Sequence, residues 1–168
     1  MKHLFQNIIV VIALLIAYTS PLSAQTVGYT YKALAAEGCS MKYRVVKQDT
    51  NYYIIATVRS DRMNFLKEPT MKIRTFSGDV ITLKGELIGG GSESAGVVIG
   101  SMVIPVTEIR STAQFSITPE EFELLNNGIS KVRLSMIPMD HERTFKKDKI
   151  GKKLYLLYLK AKAKDEDF

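Results

Sequence analysis

Short stretches in which apolar and charged residues alternate are the feature that most restricts the fold of this chain. In Met41-Lys-Tyr-Arg-Val and in Met71-Lys-Ile-Arg-Thr-Phe, every second side chain would lie on the same side of an extended backbone. Ser77-Gly-Asp follows the second stretch and predicts a tight hairpin connection to a strand at residues 80–83. The pattern therefore predicts antiparallel strands with one face toward a core and the other toward water.

Further strands are predicted along the rest of the chain. Residues 52–58 are apolar on both faces apart from Thr57, which predicts a central, covered strand. The glycine-rich residues 89–94 are interpreted as a hairpin loop. Pro105 predicts a bulge or a sheet edge, because proline cannot donate to a ladder. The remaining predicted strands are residues 96–104, 106–117 and 129–137.

Two helices complete the prediction. Thr118-Pro-Glu-Glu combines a capping hydroxyl, a proline and a glutamate three residues after the cap, which predicts a short helix near 119–127 that ends at Gly128. Apolar residues at helical spacing between Ile150 and Ala161 predict a C-terminal helix near 149–163, with a strand at 154–159 as the alternative. The expected fold class is mainly β (β-sandwich-like) or α+β.

The N-terminus has the layout of a cleavable secretory signal. Lys2 gives a basic start, residues 8–17 are apolar, and the small Ala24 precedes the predicted cut. The apolar run has about half of the roughly 20 residues that a membrane span needs. We therefore expect residues 1–24 to be removed and residues 25–168 to form a single β-rich domain with a frayed tail at 164–168. The expected location is secreted or periplasmic.

Cys39 is the only cysteine of the chain, so an intramolecular disulfide is impossible. Small exported domains often rely on paired cysteines, and here an apolar core must provide the stability instead. A buried, inert thiol is one interpretation of Cys39, and a reactive or intermolecular thiol is the other.

Three motifs occur within roughly residues 70–160: the strand-Ser-Gly-Asp-strand hairpin, the Phe115-x-Ile-Thr-x-x-Glu helix start and Lys147-Asp-Lys-Ile-Gly-Lys-Lys-Leu. Together they resemble motifs of small exported proteins of the Bacteroidota that have no assigned activity. Leu-Ser-Ala-Gln at the predicted cut is also similar to signals of that group. The resemblance implies a β-rich fold and an exported protein, and it implies no catalytic residue.

One charged pattern occurs three times, and each copy falls in a predicted strand. Two cations flank one apolar residue, so strand geometry sends both cations to the outer face. Solvated outer positions are one interpretation. Because like charges opposite each other across strands are destabilising, acids must interleave, or the strands are not neighbours, or an anion neutralises the patch. In the last case the patch would bind an anionic glycan or envelope polymer. The residues are Lys42, Arg44, Lys72, Arg74, Lys131 and Arg133.

Two other functions remain open. Asp140-His141-Glu142 contains the only histidine outside the signal segment, and a small hydrolase using these residues is one alternative. A protein-interaction or scaffold module, marked by an exposed apolar patch, is the other. The pattern indicates no metal, no cofactor and no nucleic-acid partner, and membrane contact after signal cleavage is not favoured. The formal net charge of +6 at pH 7 favours an anionic partner.

Overall fold

The computed structural model describes residues 25–31, 39–61 and 64–163, so the predicted signal segment and the predicted frayed tail lie outside the described residues. Within them the chain forms eight strands and two helices. The strands are β1 Val27–Thr30, β2 Ser40–Gln48, β3 Asn51–Ser60, β4 Thr70–Thr75, β5 Val80–Ile99, β6 Met102–Ile117, β7 Ile129–Leu134 and β8 His141–Thr144. The helices are α1 Pro119–Leu125 and α2 Gly151–Ala163.

The eight strands form one antiparallel sheet in the order β1-β2-β3-β6-β5-β4-β7-β8. The sheet curls until side chains of its two edge strands meet: Tyr29 Oη of β1 lies 3.2 Å from His141 Nε2 of β8. The predicted antiparallel, β-rich domain is confirmed. Of its two predicted forms the α+β one is observed, since a single curled sheet with two helices takes the place of two stacked sheets.

The apolar members of each alternating stretch lie on the concave face of the sheet and form the core. Tyr43 of β2 and Ile73 of β4 are each 1% exposed. The two helices pack over this face, where Phe122 of α1 and Tyr158 of α2 stack with ring centroids 4.5 Å apart. Tyr52 of β3 meets Tyr158 edge-on at 5.0 Å. The charged members of the alternating stretches are consequently left on the convex face.

Helix α1 begins with the predicted capping box. Thr118 Oγ1 accepts a hydrogen bond from the backbone N–H of Glu121 at 3.2 Å, and the Glu121 carboxylate accepts one from the N–H of Thr118 at 2.9 Å. The helix buries Phe122 and Leu125 and ends before Gly128, whose φ is +77°. The predicted helix near 119–127 is therefore confirmed, together with its start and stop signals.

The C-terminal segment is a helix rather than a strand, and it buries Leu154 and Tyr158 as predicted. Asp148 ties its first turn to β7: Oδ1 accepts from the N–H groups of Gly151 at 2.8 Å and Ile129 at 3.0 Å, while Oδ2 accepts from Lys152 at 2.9 Å. Burial raises the pKa of Asp148, but its backbone hydrogen bonds outweigh burial and hold the pKa below its ordinary value.

The prediction of a hairpin loop at residues 89–94 is wrong. These residues belong to β5 and pair with β6, with Gly90 opposite Ser111, and the turn of this hairpin lies at residues 100–101. A register shift occurs between Leu87 and Gly89, whereas Pro105 is paired in register with Gly96. Pro105 therefore marks an edge rather than a bulge. The last predicted strand is shorter than expected, since β7 ends at Leu134.

Candidate functional site

The six predicted cations all lie on the convex face, but they form two groups rather than one. β4 and β7 are hydrogen-bonded neighbours, whereas β2 is separated from β4 by β3, β6 and β5. Four strand spacings amount to about 19 Å along the sheet. The first group is Lys72, Arg74, Lys131 and Arg133, and the second is Lys42 and Arg44.

The first group lines a shallow groove, here called the first groove, with a volume of about 160 Å³. Its cations lie directly opposite one another across the β4–β7 ladder: Lys72 faces Arg133, and Arg74 faces Lys131. The Cβ atoms of directly opposed residues are only about 5 Å apart, and like charges at such positions are destabilising. The groove is completed by Ile73, Val80 and Glu142.

Two carboxylates interleave with this group, and both are bound to β7. Glu142 Oε1 lies 2.7 Å from Lys131 Nζ, and Asp140 Oδ2 accepts from Arg133 Nε at 2.9 Å and Nη2 at 2.7 Å. The Arg133 guanidinium holds the pKa of Asp140 below its ordinary value, so this pair is charged at neutral pH. Within residues 25–31, 39–61 and 64–163, the β4 cations Lys72 and Arg74 have no such partner. Among the described residues, the first group therefore has two more cations than carboxylate partners.

A second groove of about 260 Å³ lies where β2, β3 and β6 adjoin. Lys42 and Arg44 line it together with Arg59 of β3 and Arg110 of β6. Arg59 faces Arg110 across the ladder and is bound by Glu108, with Nε and Nη2 both 2.6 Å from Oε1. Among the described residues the other three cations form no ion pair. Arg110 also lines an adjoining groove that contains Glu93 and Glu108, so Lys42 and Arg44 are the two cations of the second groove that share neither an ion pair nor that adjoining groove with a described carboxylate.

Arg59 and Arg110 are not predicted by the charged pattern, because neither belongs to a Lys-x-Arg triplet. Both occupy outward positions two residues from Thr57 and Thr112, which also line the second groove. The signal that could have found them is the period-two pattern applied to β3 and β6. Among the residues that line either groove, the one aromatic residue is Tyr43, which is 1% exposed. The two grooves can therefore recognise a ligand by charge and hydrogen bonding, and not by ring stacking.

The residues of the hydrolase alternative are divided among different environments. Asp140 and Glu142 are held by cations of the first groove. His141 lies instead where β1 approaches β8, with Nε2 3.2 Å from Tyr29 Oη and its ring centroid 4.2 Å from that of Tyr31. Burial lowers the pKa of His141 to about 4, with a smaller contribution from a nearby arginine. The three side chains do not converge on one point where a substrate could react.

Cys39 is completely buried, in agreement with the first of the two interpretations. Its thiol donates to Asp61 Oδ1 at 3.3 Å and lies 3.6 Å from Ser60 Oγ. In the part of the chain that the structure describes, no three His, Cys, Asp or Glu side chains are grouped so that they could hold a metal ion. Neither described helix has the length and apolar character of a membrane span.

Comparisons with family models, with curated proteins and with solved structures give no match to this chain.

Proposed function

We propose that this chain is an exported, non-catalytic domain of the cell envelope that binds an anionic glycan or envelope polymer on its convex face. Export is supported by the signal layout of residues 1–24, and an anionic partner by the net charge of +6. The observation that carries the proposal is the presence of two pairs of opposed cations across β4 and β7, Lys72 with Arg133 and Arg74 with Lys131.

A solvated strand face with interleaved acids accounts for the β7 cations, but not for Lys72 and Arg74, which lie opposite them without a carboxylate partner among the described residues. Lysine and arginine are common on exposed strands, but they are then best placed opposite acids or neutral residues. Here the two carboxylates near the first groove neutralise the β7 cations, while Lys72 and Arg74 add positive charge beside them. A bound anion would remove the repulsion, because it would bring negative charge between the two strands.

The two grooves favour a polymer over a single small anion. They lie on the same face of one sheet, and β2 and β4 are separated by about 19 Å along that sheet. A chain of repeating carboxylate, sulfate or phosphate groups could occupy both grooves at once. Its overall affinity would then exceed that of either contact alone. Arg44 and Arg74 can each offer a two-pronged guanidinium to such groups, whereas Arg133 already donates to Asp140, and the lysines act as point charges.

Heparin resin tests the proposal, with the salt concentration at elution as the measurement. The double variant Lys72→Gln/Arg74→Gln should elute at clearly lower salt than the wild type. The matched control is Lys152→Gln/Lys153→Gln, which removes the same charge from exposed positions of α2 and should elute close to the wild type. Equal elution of all three proteins, or an equal shift in the two variants, would contradict the proposal, because either result means that the first groove makes no specific contribution.

The stability of the same variant separates a binding role from a structural one. Removing Lys72 and Arg74 relieves the two like-charge contacts, so the free energy of unfolding should stay constant or rise by about 0.2–1 kcal/mol for each contact. Urea denaturation of the wild type and the variant measures this difference. A substantial loss of stability would mean that the two cations maintain the fold, and the lower affinity for heparin would then have a different cause.

A further inference from the structure

Strands β5 and β6 extend past the rest of the sheet as a two-stranded ribbon. β5 pairs with β4 only as far as Lys84, and β6 pairs with β3 only from Ile109 onward. The two ribbon strands remain paired with each other up to Ile99 and Met102. From Ser94 to the turn the ribbon is about 20 Å long at the usual strand rise. Over this length no other described strand covers it.

The end of the ribbon is uncharged and mostly apolar, although much of it is exposed to solvent. Residues 94–107 contain no charged residue and are mostly apolar, and the exposed fractions of Met102 and Val103 are 66% and 67%. A two-stranded ribbon is only marginally stable in water unless it can bury an apolar face. An uncharged, apolar strand with an open edge is also a ready template for another strand. Both properties indicate that the ribbon is covered by a partner.

The two edges of the ribbon differ in their ability to pair. β6 carries Pro105, which has no N–H and weakens pairing along its edge. β5 has no proline, and from Glu86 to Ile99 no other described strand pairs with its second edge. The same edge contains Gly89–Gly91, and a Cβ added at Gly91 would meet nothing within 4 Å. Glycine residues inside a strand often mark a site where another backbone approaches closely.

We propose that a second copy of this chain pairs antiparallel with the β5 edge, about a two-fold axis at Ser94. This register sets the three glycines at 89–91 opposite the three β-branched residues at 97–99 of the second copy. An antiparallel edge is self-complementary under a two-fold axis, because each N–H meets an equivalent C=O. The one charged residue in the paired segment 89–99 is Glu93, which this register places opposite the small Ala95 of the second copy.

A lipid bilayer fits the ribbon less well. Open strand edges do not occur within the hydrocarbon region, since each unpaired backbone group there costs several kcal/mol. Residues 85–114 also contain no tryptophan, tyrosine or phenylalanine, the residues that anchor proteins at the membrane interface. Self-pairing satisfies the backbone of β5, whereas insertion of a single ribbon leaves it unsatisfied.

Cysteine cross-linking in the full chain tests the proposed register. Under mild oxidation, Ser94→Cys should form a disulfide-linked dimer, because each new thiol meets its own copy at the axis. The matched control is Thr107→Cys on β6, whose native hydroxyl lies 2.9 Å from that of Ser94 on the same face of the ribbon. It should stay mostly monomeric on a non-reducing gel. The wild type is the blank, since Cys39 is 0% exposed.

Sedimentation equilibrium supplies the independent measurement. The wild type should reach the mass of a dimer as its concentration rises, and Ser94→Lys, which sets like charges opposite each other at the axis, should shift dimerisation to higher concentration. A monomer at all concentrations would overturn the proposal, and so would equal cross-linking of the two cysteine variants. Co-sedimentation of the monomer with neutral phosphatidylcholine vesicles would also overturn it, in favour of lipid. These outcomes are separate from heparin affinity, so this proposal and the proposed function can fail independently.

Discussion

Alanine at Gly151 should destabilise the protein, although alanine is normally the better helix residue. Gly151 is the first residue of α2 and lies against the segment that enters β7. A Cβ built there would lie 2.6 Å from the backbone nitrogen of Ile129 and 2.9 Å from two backbone atoms of Gly128. Backbone atoms cannot move aside as the end of a flexible side chain can, so the helix and the strand would have to separate.

The expected magnitude follows from two opposing terms. Replacing glycine by alanine inside a helix gains about 1 kcal/mol in intrinsic propensity. An added methyl group in a fully packed site typically costs about 1–3 kcal/mol, and rigid neighbours favour the upper end of that range. Separation of α2 from β7 would also weaken the Asp148 hydrogen bonds to Gly151 and Ile129, each worth about 1 kcal/mol or more. We expect a net loss of about 2–3 kcal/mol, or about 5–10 °C in Tm.

Urea denaturation followed by circular dichroism measures this loss, with Lys153→Ala as the matched control. Lys153 lies two residues further along α2 and is exposed, and lysine and alanine are both good helix formers. The control variant should change the free energy of unfolding by less than about 0.5 kcal/mol, as is usual for surface substitutions. If Gly151→Ala were as stable as the wild type or more stable, the close packing of α2 against β7 would be refuted.

Three further predictions concern single side chains. Asp148→Ala should lose about 2–3 kcal/mol of unfolding free energy because the N–H groups of α2 and Ile129 lose their acceptor, whereas Asp148→Asn, which keeps an acceptor oxygen, should lose less in the same urea experiment. Since the pKa of His141 is lowered from 6.5 to about 4, the unfolded chain takes up the proton first, and stability should fall as the pH drops from 6.5 to about 4. The loss should be about 2 kcal/mol after allowance for partial exposure, and Tm measured against pH should show a smaller loss in His141→Gln. The buried Cys39 thiol should react with Ellman's reagent only as the protein unfolds, and a fast reaction of the native protein would contradict its complete burial.

Local signals predicted most elements of this fold. The capping box at Thr118 and Glu121 depends on residues three apart, and the alternation at Met41–Val45 depends on residues two apart, so both can be found without knowledge of distant contacts. The C-terminal helix was also predicted from its apolar spacing. The role of Asp148 at the start of this helix is not visible in the local sequence. Its carboxylate accepts hydrogen bonds from Gly151 of α2 and also from Ile129, which is distant in the sequence.

The long ribbon could not be predicted in the same way. Gly89–Gly91 and Ser92 have the residue types of a turn, and local chemistry favours a loop there. They are extended because β6 runs alongside them in continuous register, with Gly91 opposite Arg110. Strand pairing between residues far apart in sequence overrides local preference, as it often does in sheets.

The candidate site shows the same division between local and distant information. Alternation correctly predicted that all three Lys-x-Arg triplets send their cations to one face. It could not reveal that β4 and β7 are neighbours while β2 is not, because strand order depends on the whole topology. The surroundings of His141 were equally hidden, since Tyr29 is 112 positions away in the chain.

The two exposed features of this domain both oppose the stability of the isolated chain, which is the physical reason to assign them to binding. On β4 and β7, a glutamate at position 72 would replace a repulsive contact with Arg133 by an attractive one, yet lysine is present. On β5, lysines at the open edge would prevent association, yet residues 94–99 are uncharged. Neither choice improves folding, and each is explained by the partner that we propose: negative charge for the first groove and a second strand edge for the ribbon. The two requirements are chemically different, so an anionic polymer bound on the convex face and a second copy paired along β5 can be present together.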